Sequence, residues 1–102
     1  MAISLIDAKN IVGITVTEIQ GQKQLKVRIK ARLFESSYSV DKIETEVVAN
    51  TIIIKAYKKY VMFVPREKRT DEIGLEIIIP DFVNEIRFHG DDKAIWLRKK
   101  ND

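Results

Sequence analysis

The chain has 102 residues, 45% of them hydrophobic and 32% charged, and 18 basic against 15 acidic side chains leave a net charge of +3. That length and apolar content suit one packed domain spanning residues 1–102, and a pI near 9.2 marks it as only mildly basic. The absence of cysteine removes disulfides, thiol nucleophiles and Cys-based zinc sites together.

Period-two alternation governs most of the chain, and an amphipathic helical period is hard to find. Residues 2–9 read either as a preliminary edge strand or as a short helical turn. A strand over 11–19 is followed by "QGQK", whose glycine suits a turn into a strand over 24–34. "ESSYSVD" reads as a polar connection. Strands over 42–48 and 51–57 flank Ala49-Asn50, where Asn tolerates the left-handed conformation of a tight turn. The apolar run "YVMFVP" ends at Pro65, which lacks a ladder donor, and the charged loop "REKRTDE" follows. Further strands are expected over 73–79, 83–88 and 94–99, separated by Pro80-Asp81 and "HGDDK". Seven to eight strands at this spacing predict an all-β fold, a single antiparallel β-sandwich of immunoglobulin-like or α-crystallin-like form. Alternation places Leu25, Val27, Ile29 and Leu33 inward against Ile52, Ile54, Ile77, Ile79, Ile86 and Phe88, with Trp96 packed beside them.

Catalytic signatures are sparse. His89 is the single histidine; beside Asp91 and Asp92 it could serve a metal or act as a base, but a hairpin turn explains "HGDD" more simply. Ser36, Ser37 and Ser39 lie outside any G-x-S-x-G pattern. Gly13, Gly21, Gly74 and Gly90 are too far apart for a phosphate-cradling loop. The expectation is therefore a protein without enzymatic activity, cofactor or metal.

Three surfaces stand out. In "LKVRIKARLF", Lys26, Arg28, Lys30 and Arg32 alternate with apolar residues and form a cationic ladder about 20 Å long at strand spacing. Glu44 and Glu46 repeat at the same spacing of two, so pairing with a neighbouring strand would neutralise half of it. The ladder then reads as a solvated, partly paired face. A second basic patch comprises Lys55, Tyr57, Lys58, Lys59, Arg66, Lys68 and Arg69: a stacking platform for nucleic acid, or lysines guarding an exposed edge, the latter being favoured. The third is the apolar edge Tyr60, Val61, Met62, Phe63 and Val64, read equally as a doubly buried strand or as an edge that pairs with another chain.

"LKVRIKARLFESSYSVDKIETEVVANTIIIKA" resembles the core hairpins of the α-crystallin (small heat-shock) domain, and "LEIIIPDFV" resembles that family's strand ending in an Ile-Pro step. The family's closing A-x-x-x-G-V-L pattern does not occur, "FHGDDKAIWLRK" carries extra residues after Gly90, and the I-x-I tail is missing. The resemblance implies a sandwich fold and, as one alternative, a chaperone domain. The leading expectation is a small non-enzymatic protein-interaction module, binding a protein partner or self-associating as a homodimer; non-specific nucleic-acid binding is the other alternative. No stretch is long and apolar enough to span a membrane as a helix. With no basic n-region before an apolar run at the N-terminus, the cytoplasm is the default compartment; removal of a leader would imply a secreted or periplasmic protein.

Overall fold

A computed structural model describes residues 3–32, 38–60 and 71–99. Among these residues eight strands follow in order: β1 (Ile3–Leu5), β2 (Ile11–Glu18), β3 (Gln24–Ala31), β4 (Tyr38–Val48), β5 (Thr51–Tyr60), β6 (Glu72–Ile78), β7 (Glu85–Phe88) and β8 (Ala94–Leu97). A short 3-10 turn, Ala8–Asn10, separates β1 from β2. The opening segment is thus both of the forms its sequence allowed, a strand and then a helical turn.

β3 is the middle strand of a three-stranded sheet, antiparallel to β2 on one side and to β6 on the other. β5 is the middle of the second sheet. β4 runs along one side of it, while β1 and β7 share the other, at residues 57–59 and 51–54 respectively, and β8 pairs beyond β7. The β5–β7 pair is parallel. A parallel neighbour requires a crossover, and here the chain makes it by way of β6 in the opposite sheet. This corrects the wholly antiparallel expectation: the fold is all-β, but one sheet is mixed.

Leu25, Val27, Ile29 and Ala31 on β3 and Ile77 on β6 meet Ile52, Ile54 and Ala56 on β5 and Ile86 and Phe88 on β7 in one buried cluster. Burial of each large side chain contributes roughly 1.5–3 kcal/mol, enough for strict alternation to fix the register. Trp96 packs against this cluster, half-buried. Every expected core residue is therefore found in place except Leu33, which lies outside the described residues. Among the described residues Ile6, Val40, Ile79 and Val83 join the core; Ile6, Ile79 and Val83 lie in connections, Ile79 one residue past the end of β6.

Two local expectations change. β4 begins at Tyr38, inside the predicted polar connection, and a bulge between Val40 and Lys42 leaves Asp41 as the extra residue. Ser39, assigned to a loop, is buried in that strand. At the β4–β5 turn the left-handed residue is Ala49, with φ of 54°, rather than Asn50. Asn50 instead accepts the Asn84 N–H on its carbonyl at 2.8 Å, which ties the turn to the β6–β7 connection.

Candidate interaction surfaces

The second basic patch falls on β5, as far as it is described; Arg66, Lys68 and Arg69 lie outside the described residues. β5 has hydrogen-bonded neighbours on both sides, so its lysines do not guard an edge. Their charges are engaged locally. Lys55 pairs with Glu46 at 3.1 Å and Lys59 with Asp41 at 3.6 Å. Lys58 places its ammonium 4.7 Å from the centre of the Tyr38 ring, and Tyr38 meets Tyr60 edge-on at 5.7 Å. Lys42 lies 3.0 Å from Glu44 and 5.4 Å from the centre of the Tyr57 ring. Hydrogen bonds from Lys42 and then Tyr57 hold the Glu44 carboxyl below its ordinary range, and the Glu44 hydrogen bond raises Lys42. Lys55 is raised by its bond to Glu46. Tyr57 and Tyr38 are engaged by lysines of their own sheet, and Tyr60 by the Tyr38 ring, rather than left as bare stacking platforms.

The β3 ladder has a different environment from the one its sequence suggested. Lys26, Arg28, Lys30 and Arg32 are all exposed. Because β4 belongs to the other sheet, Glu44 and Glu46 do not face them. The neighbours of Lys26, Arg28 and Lys30 are Thr17, Thr15 and Gly13 on β2 and Glu76, Gly74 and Glu72 on β6; Arg32 lies just past the end of β3. Arg28 forms a 2.6 Å ion pair with Glu72, diagonally across the sheet; among the described residues it is the one ladder cation in an ion pair. Beside it an open recess of about 300 Å³ is lined by Gly13, Thr15, Arg28, Lys30 and Glu72.

His89 opens the β7–β8 turn. Its N–H donates to the Ile54 carbonyl at 2.8 Å, Gly90 adopts a φ of 83°, and the Asp91 carboxylate accepts the Lys93 N–H at 3.0 Å. Asp91 and Gly90 thus serve the turn itself. Among the described residues, no group of three or more His, Cys, Asp or Glu side chains is gathered to hold a metal ion. Asp91 also closes one side of a recess of about 290 Å³ that is otherwise lined by Ala8, Ile11, Val12, Gly13, Ile14 and Phe88.

Of the apolar edge, Tyr60 is the last residue of β5 and pairs with Tyr38; Val61, Met62, Phe63 and Val64 lie outside the described residues. An edge that alternation did not single out is β4. This 11-residue strand pairs with β5 along one side and has no strand along its other side among the described residues. Glu44, Thr45, Glu46, Val47 and Val48 are exposed on it. The alternation of acids with Ile43, Thr45 and Val47 reads from sequence as an ordinary half-buried strand, so its edge position gave no signal. At the same end of the molecule Ile78, Phe82 and Leu97 are exposed, by 78%, 60% and 65%. There Asn50, Asn84 and Arg98 are joined by 2.8 Å backbone bonds.

Comparison with protein-family models, with curated proteins and with solved structures gives no match for this chain. No helix among the described residues is long and apolar enough to cross a membrane.

Proposed function

We propose that this chain is a non-enzymatic interaction module that captures an extended protein segment by strand addition along β4. The observation that carries this reading is the edge itself: an 11-residue strand, unbroken in register from Lys42 to Val48 and paired on one side among the described residues, with Val47 half exposed on it. An added strand would satisfy the outward N–H and C=O groups of β4 and cover Val47 and Ile43 with its own apolar residues. The underlying fold is taken as an immunoglobulin-like sandwich whose parallel β5–β7 pair holds β4 at the rim.

A displayed library of extended peptides tests this directly. Binders are expected to alternate apolar with polar residues and to slow hydrogen exchange along β4. Lysine at position 47 (Val47→Lys) should abolish capture without unfolding the protein, since that side chain is already half exposed. Binders that protect another strand, or that ignore the substitution, overturn the reading. A second copy of the chain as occupant would appear as a dimer that Val47→Lys splits.

A further inference from the structure

We infer that the outer face of the β2–β3–β6 sheet binds the phosphodiester backbone of a nucleic-acid duplex. Three columns of side chains make this face. Lys26, Arg28 and Lys30 form the central one, on a strand hydrogen-bonded along both sides. Thr17, Thr15 and Gly13 form the β2 column, with two hydroxyls and no charge; Glu76, Gly74 and Glu72 form the β6 column. The carboxylates thus lie on one flank only, and the cations are open toward β2.

Lys26 and Lys30 have no ion pair among the described residues, and Arg28 is oriented by Glu72. Gly13 presents no side chain beside Lys30, which leaves the recess where Thr15, Arg28 and Lys30 converge, with Glu72 lining its β6 side. An anionic oxygen seated there meets two cations and a hydroxyl on the side toward β2, and the Glu72 carboxylate, already paired with Arg28, on the side toward β6. Successive ladder cations are about 6.6–6.8 Å apart, comparable with the separation of neighbouring phosphates on one strand, whose winding path makes that separation longer than the 3.4 Å axial rise. The column therefore runs in step with neighbouring phosphates of one strand. No aromatic residue occupies any of the nine positions of these columns, so bases have nothing to stack on. That favours a duplex, whose phosphates are outside and whose bases are already stacked. The face is separate from the β4 edge, which belongs to the other sheet.

Fluorescence anisotropy with a short labelled duplex of mixed sequence tests the assignment. With two or three phosphates contacted, affinity is expected to fall roughly ten- to fortyfold between about 50 and 200 mM salt. Changing Lys26→Gln and Lys30→Gln together should weaken binding at low salt and flatten the salt slope by about 2. Lys55→Gln with Lys59→Gln, on the opposite sheet, should leave both unchanged. Thr15→Lys, which adds a cation to the same face, should tighten binding. All five positions are at least partly exposed, so melting temperatures should stay near that of the parent and report folding independently. Binding that is absent at low salt, indifferent to salt or unchanged in the Lys26/Lys30 variant overturns the proposal. So does tighter binding of a sulfated polysaccharide than of the duplex at equal salt, which would assign the face to that polymer.

Discussion

Glu46 on β4 holds the ammonium of Lys55 on β5 at 3.1 Å, within the sheet that does not contain β3. The acids whose spacing matched the β3 cations are therefore spent elsewhere. Two basic segments of similar appearance end in opposite conditions: the lysines of β5 are engaged by acids and tyrosines, while Lys26 and Lys30 face solvent.

Core polarity should be unforgiving on β3. Val27 and Ile29 are buried between the sheets, so Val27→Asp or Ile29→Asp is expected to unfold the protein, because an unpaired buried charge costs several kcal/mol against a total of about 5–15. Lys26→Gln should change stability by no more than about 0.5 kcal/mol. Urea melts of the three variants check this, and a folded Val27→Asp would contradict the register.

The charge cluster on β4 and β5 should be visible in acid. Glu44 is held below the ordinary carboxylate range by Lys42 and Tyr57, so its contribution is present above that range and lost as pH falls through the lowered folded value. The stability gap between the parent and Glu44→Gln should therefore shrink on acidification. Lys42, raised by Glu44, gives the opposite limb: its contribution is full below the ordinary lysine range and is lost as pH rises through the raised folded value. Urea melts across pH check both limbs; a gap that widens in acid contradicts the pairing.

Ala49 occupies the left-handed region at the β4–β5 turn, with φ of 54°. For an alanine that conformation costs roughly 1–2 kcal/mol, a cost glycine escapes. Ala49→Gly is expected to raise stability by about 0.5–1 kcal/mol, the remainder being lost to the greater freedom of the unfolded chain. Thermal melts measure it, and a lowered melting temperature would contradict the turn geometry.

Arg98 fastens the end of the chain beyond β8. Its Nε and Nη2 donate to the Val83 and Pro80 carbonyls at 2.8 and 3.0 Å, and its guanidinium lies 5.6 Å from the centre of the Trp96 ring. Loss of these charge-assisted bonds in Arg98→Ala should cost about 1.5–3 kcal/mol. Lysine should recover little, since a single ammonium does not reproduce the fork that reaches both carbonyls. Equilibrium unfolding of the two variants distinguishes these outcomes.

Alternation carried the core because a residue's face is decided within its own strand: Leu25, Val27 and Ile29, or Ile52 and Ile54, point inward whichever strand lies beside them. Neighbours are decided by the whole topology, and so the partners of Lys26 and Lys30 were not legible. Glu72 and Glu76 lie more than forty residues away, across two intervening strands and a charged segment. The parallel β5–β7 contact escaped for the same reason, and so did the edge position of β4. Ile6 and Val83 show a further limit, since core residues supplied by connections follow no strand period.

Amide hydrogen exchange of the free protein, resolved residue by residue along β4, tests the open edge most directly. In an edge strand every second N–H is bonded to its neighbour and the next points away. Residues 42–48 should therefore alternate between slow and fast exchange, against uniformly slow exchange in β3, which is bonded on both sides. Uniform protection along β4 would mean that its outer edge is already covered, and would contradict strand addition there.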